Sequence, residues 1–149
     1  MGTVSYPQPA VSAAIEAFCI PLKLDITVPA AEPIVRRYHQ VWTPDLRILD
    51  STGDELYRWN GYLPPFEFAP QVLCAVGQAN FRFKRFDAAI ELYTDVLTRF
   101  PTSLFAPEAQ YYLACSRYRK SHESGDLLKG WHELEKTYPS SEWTVKQNF

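Results

Sequence analysis

Residues 41–61 read Val41-Trp42-Thr43-Pro44-Asp45-Leu46-Arg47-Ile48-Leu49-Asp50-Ser51-Thr52-Gly53-Asp54-Glu55-Leu56-Tyr57-Arg58-Trp59-Asn60-Gly61. An x-Thr-Pro turn leads into the apolar run Leu46 to Asp50, Ser51-Thr52-Gly53-Asp54 supplies a reversal, and Glu55 to Trp59 returns. Two short apolar runs joined by a Gly- and Asp-containing loop predict a β-hairpin. Gly61-Tyr62-Leu63-Pro64-Pro65 follows as a helix start, because proline suits a first helical turn.

Upstream, helix and strand signals alternate. Val11, Ala14, Ile15 and Phe18 recur at helical spacing within Ala10 to Phe18. Ile20-Pro21-Leu22-Lys23-Leu24-Asp25-Ile26 alternates around a short apolar run and predicts a strand. Pro33 to Tyr38 predicts a helix with Ile34, Val35 and Tyr38 inward and Arg36 and Arg37 outward.

Downstream the grammar changes. Pro70 to Lys84, Asp87 to Phe100, Pro107 to Lys120 and Asp126 to Tyr138 all carry helical periodicity, so four amphipathic helices are expected in pairs. Phe100-Pro101-Thr102-Ser103 returns as Tyr138-Pro139-Ser140-Ser141, a repeat of 38 residues. A repeat of this length outweighs local signals. Ser140-Ser141-Glu142-Trp143 reads as the capped start of a further helix.

Two family resemblances rest on these residues. With Pro101 and Pro139 as the prolines that close each unit, the second half resembles tetratricopeptide repeats of ~34 residues. Leu73, Val76 and Gly77 then occupy the first helix's apolar and small positions, and Ala89, Tyr93 and Val96 those of the second. Tyr111, Ala114, Cys115 and Tyr118, then Leu127, Trp131 and Leu134, do so in the next unit. Asn80 and Leu127 depart from the pattern, and the residues beyond ~34 are expected to lengthen the turn Lys120 to Gly125. The first half, from about residue 5 to residue 70, resembles a thioredoxin-like domain that lacks its Cys-x-x-Cys portion. The segment Ser5 to Val11 would continue the helix that follows such a motif.

The resemblances imply an α/β (α+β) chain: a truncated thioredoxin-like domain over residues 1–69, then two helix pairs and the start of a further helix over residues 70–149. They imply a cis bond at Thr43-Pro44 and a peptide-facing loop at Trp42, Thr43 and Pro44. They also imply a concave helical face from which Asn80, Gln110 and Arg117 project toward an extended peptide or helix. The strand that would lie between Leu22–Ile26 and Leu46–Asp50 is missing, which leaves two apolar strand edges to be paired or covered. A homodimer through those edges is one remedy. The sheet is also expected to pack on Pro70 to Phe83 and cap the short repeat, since arrays of this kind need about three units.

The chemistry of the chain points away from catalysis. Cys19, Cys74 and Cys115 are far apart among apolar residues, with no resolving cysteine and no helically spaced base. His39, His122 and His132 have no metal-ligand spacing, and Asp25, Asp45, Asp50 and Asp54 sit at strand ends and turns where local hydrogen bonding suffices. No nucleophile elbow, phosphate loop or dinucleotide fingerprint occurs. A net charge of -2 argues against nucleic acid, although Phe81-Arg82-Phe83-Lys84-Arg85-Phe86 interleaves aromatics with Arg82, Lys84 and Arg85 in a way that single-stranded RNA would accept. No run is long enough for a membrane span and no secretory signal opens the chain, so a cytoplasmic location is expected. The expectation is a non-enzymatic interaction or scaffold protein with a protein or peptide partner and no cofactor or metal. The rival is the rear portion of a thiol-disulfide oxidoreductase whose dithiol segment lies outside this chain.

Overall fold

In the computed structural model, which describes residues 8–147, the hairpin forms where the sequence places it. Strands β1 (Asp45–Leu49) and β2 (Glu55–Asn60) pair antiparallel, with Leu46 opposite Trp59 and Ile48 opposite Tyr57. Gly53 takes φ 83° at the reversal, a left-handed value that suits glycine. Asp50 Oδ1 accepts from the N–H groups of Thr52 at 2.8 Å and Asp54 at 2.9 Å, so the loop's donors are tied. Leu46, Ile48 and Trp59 turn to the core, where Trp59 meets Phe68 edge-on with ring centroids 6.1 Å apart. On the other face Arg47 bonds both Asp45 and Glu55 and lies over the Tyr38 ring.

Seven helices complete the described residues: α1 (Pro9–Phe18), α2 (Glu32–Arg37) behind a 3-10 turn at Pro29–Ala31, α3 (Pro65–Arg82), α4 (Phe86–Arg99), α5 (Ala106–Ser121), α6 (Ser124–Thr137) and α7 (Glu142–Lys146). The architecture is therefore mixed, a two-stranded sheet beside a helical majority. The capped helix start expected near Ser141 is α7, where the Ser141 side chain accepts from Trp143 N–H.

Helix α3 is the spine. Every residue from Glu67 to Ala79 is buried, because α1, the hairpin, α4 and α5 all pack on it. Val11 and Ala14 bring α1 into the same cluster as Leu73, Cys74, Tyr93, Val96 and Leu113, so one core runs through both halves of the chain. The hairpin packs on the same helix, as anticipated for the sheet, and α1 joins it there. The helix begins at Pro65, at the helix start read in Gly61-Tyr62-Leu63-Pro64-Pro65, and runs on through Pro70, where the amphipathic stretch was expected to begin; Pro70 is buried inside it and forfeits one backbone bond.

Small residues set the close approaches between helices. A Cβ on Gly77 would lie 2.7 Å from Tyr93 Cε1, and one on Gly130 would lie 2.4 Å from Ala114 Cβ. The turns are also stitched to one another. Tyr138 OH donates to the Pro101 carbonyl at 2.9 Å, linking the two Pro-containing turns of the repeat. Glu67 accepts from Ser103 Oγ at 2.5 Å and from Leu104 N–H at 3.1 Å, fixing the α4–α5 connection to the spine.

Three expectations are corrected. Residues 20–26 form no strand: their side chains are all exposed, and none of their backbone groups bonds another described backbone group. An extended segment becomes a strand only beside a partner, and none is there. Ile34 is exposed rather than inward, because α2 touches the rest of the fold mainly through Arg37 and Tyr38, which donate to the Gly53 carbonyl at 3.0 and 2.7 Å. The α5–α6 connection, expected to be long, is His122-Glu123 alone, with His122 at φ 62° in the left-handed region that ends the helix.

Candidate interaction surface

The largest concentration of exposed apolar side chains lies between α1 and the hairpin. Ile20 is 97% exposed and Leu22 79%, with Phe18, Leu24, Ile26 and Val28 also out in solvent. Ile20, Leu22 and Leu24 alternate with Pro21, Lys23 and Asp25 between α1 and the turn at 26–27, so an extended backbone there sets them on one face. Lys23 and Asp25 fall on the other face, and attraction from Lys23 adds to the hydrogen bonds from Thr27 that hold the Asp25 carboxyl below its usual range. Large apolar side chains exposed in such number are uncommon on a folded surface.

The stripe runs beside the turn that precedes β1. Lys23, Leu24, Asp25, Ile26, Thr27 and Thr43 line an open groove of about 500 Å3. The Thr43–Pro44 bond there is cis, and Val41 and Trp42 are 89% and 69% exposed. Gln40 Nε2 donates to the Trp42 carbonyl at 2.6 Å, which fixes the approach to the turn. The structure therefore sets Thr43, between Trp42 and Pro44, against the segment 23–27.

The three helical candidates are placed differently. Asn80 Nδ2 donates to the Val76 carbonyl of its own helix at 2.9 Å, and Gln110 Nε2 reaches the Gly130 carbonyl of α6 at 2.9 Å. Both amides thus hold the fold together; Arg117 alone stands exposed. Around α5 a cluster of rings joins it to α3, α4, α6 and α7. Tyr112 stacks on Tyr93 at 6.0 Å and meets Phe81 and Trp143 edge-on at 5.7 and 5.4 Å, while Tyr111 stacks on Trp131 at 5.6 Å. Close by, burial lifts the Glu108 carboxyl to about 7, against the opposing pull of a Gln78 hydrogen bond and Lys146.

Basic residues Arg82, Lys84 and Arg85 are solvated at the α3–α4 turn, but the rings between them are engaged: Phe81 packs edge-on with Phe86, and Arg85 covers Phe83. The thiols are pushed away from the reactive form. Burial raises Cys19, raises Cys74 well above the ordinary range, and lifts Cys115 to about 11. Among the described residues no group of three or more His, Cys, Asp or Glu is arranged to hold a metal, and no helix is long and apolar enough to cross a membrane. Comparison of the chain with models of known protein families, and with curated protein sequences, finds no match.

Proposed function

We propose that this chain is a non-enzymatic protein-interaction module: a truncated thioredoxin-like hairpin and helix mounted on a short tetratricopeptide-like helical array. Its working surface is the stripe from Phe18 to Val28 together with Trp42, Thr43 and Pro44, and its ligand is an extended peptide or strand of another protein. The observation that carries the reading is the alternation of exposed apolar side chains along a backbone over residues 20–26 that bonds no other described backbone group. Such a segment lacks only a neighbouring strand, whose main chain would supply affinity while alternate side chains supply selectivity. The close helix approaches at Gly77–Tyr93 and Gly130–Ala114 and the linked turns at Pro101 and Tyr138 support the repeat-like reading of the array. The raised thiols speak against redox exchange by this chain.

Selection of phage-displayed peptides on the immobilised chain tests the proposal. Enriched peptides are expected to be apolar at alternate positions, to lose binding to Leu22→Asp and Leu24→Asp, and to keep binding to Arg117→Glu. Peptides that bind all three variants alike, or that need Arg117, would place the docking surface elsewhere.

A further inference from the structure

The alternation over residues 20–28 has a second property, a charge pattern that is complementary to itself. Antiparallel alignment of two copies with Leu24 opposite Leu24 sets Leu22 opposite Ile26, and sets Lys23 of each chain opposite Asp25 of the other. Both apolar stripes then lie on one face and both ion pairs on the other. Neighbouring registers fail. Centring on Lys23 opposes two lysines, centring on Asp25 opposes two aspartates, and a slip by one residue puts Leu24 opposite a charge.

The hydrogen-bond parity agrees. If Leu24 forms a hydrogen-bonded pair, then Leu22 and Ile26 direct their backbone groups to the partner as well, and the odd positions point outward. Pro21, which has no N–H to give, falls on that outer edge. The Thr27 N–H, on the same edge, is already bonded to Asp25 Oδ1 at 2.9 Å. Every donor lacking on one side of the segment is thus lacking on the side that faces away. The turn at Ile26–Thr27 ends the ladder at five residues, Leu22 to Ile26, an ordinary strand length.

We infer that the partner of the stripe is a second copy of this chain, paired antiparallel over Leu22–Ile26 about a two-fold axis at Leu24. This deepens the reading of the stripe as a strand-docking surface and rests on it. Lys23 and Asp25 are exposed, and Asp25→Lys gives up only its two local bonds to Thr27, so each variant keeps the buried core, which circular dichroism checks.

The test is light scattering over a dilution series on five samples. Wild type is expected to be dimeric at high concentration. Lys23→Glu and Asp25→Lys alone should each dissociate at least tenfold more readily, because each sets two like-charged pairs across the interface. An equimolar mixture of these two variants should form a heterodimer, and the double variant should regain the wild-type constant. A dimer indifferent to all four samples would overturn this register and leave the docking surface standing. A wild type that stays monomeric at millimolar concentration would overturn self-pairing, while the peptide selection above decides the docking surface independently.

Discussion

At the scale of single residues, Glu108 and the helix-contact glycines carry the sharpest consequences. The Glu108 carboxyl is held at about 7 against an ordinary 4.5, chiefly by burial. A raised carboxyl favours the folded state while it is protonated, so its contribution is complete below about 4.5 and is lost as pH climbs toward about 7. Glu108→Gln is expected to flatten that slope and to stabilise the protein at pH 8 by up to ~3 kcal/mol, with little change at pH 4. Denaturant titrations at the two pH values measure it. Gly130→Ala is expected to cost ~1–3 kcal/mol, since its Cβ would collide with that of Ala114. Gly125→Ala is the control: it sits in the first turn of α6 with open space around it, and should gain ~0.5 kcal/mol. Gly77 was legible as a close-packing position from the repeat register. Gly130 was missed, although a glycine inside a periodic helical segment is itself a signal of such contact.

At the scale of elements, what could be read depended on whether an element's cause was local. The hairpin carries its turn chemistry and its alternation in one stretch, and α4, α5 and α6 carry their apolar faces, so all were legible to within a residue or two. The start of α3 was legible in Gly61-Tyr62-Leu63-Pro64-Pro65, but its continuation through Pro70 was not, because a proline reads as a first-turn residue and Pro70 sits inside the helix. The strand expected at residues 20–26 has the right pattern, but a strand's last requirement is a neighbour, which no local pattern can reveal. Connections follow the same logic. His122 and Lys84 hold φ 62° and 59° at the ends of α5 and α3, a conformation that a side chain resists. His122→Gly and Lys84→Gly are each expected to raise stability by ~0.5–1 kcal/mol, read from the shift in the denaturation midpoint.

At the scale of the whole molecule, the residues that carry stability are separate from the exposed stripe proposed to carry interaction. Val11 is wholly buried against the spine helix whereas Leu22 stands in solvent, so Val11→Ala should cost ~1–3 kcal/mol and Leu22→Asp no more than ~0.5 kcal/mol. Because a single cluster of side chains joins α1, the hairpin and α3 to α5, both variants should unfold in one transition by fluorescence and by circular dichroism. Trp42, Thr43 and Pro44 came from the resemblance alone, and of what it implied the structure has the cis bond in the turn before β1. Asn80 and Gln110 proved to be bonded within the helical array, a matter of which way each amide turns.

The spine arrangement also dictates an order of events during synthesis. Val11 and Ala14 emerge from the ribosome early, but the side chains they pack against belong to α3, which is itself covered by α4 and α5 up to Leu113. Of the described residues, those of α1 and the hairpin therefore have no core to join until α3 to α5 have been made. For that interval the alternating segment at residues 20–28 is displayed together with the unburied face of α1, and a growing chain must be shielded over both until α5 arrives.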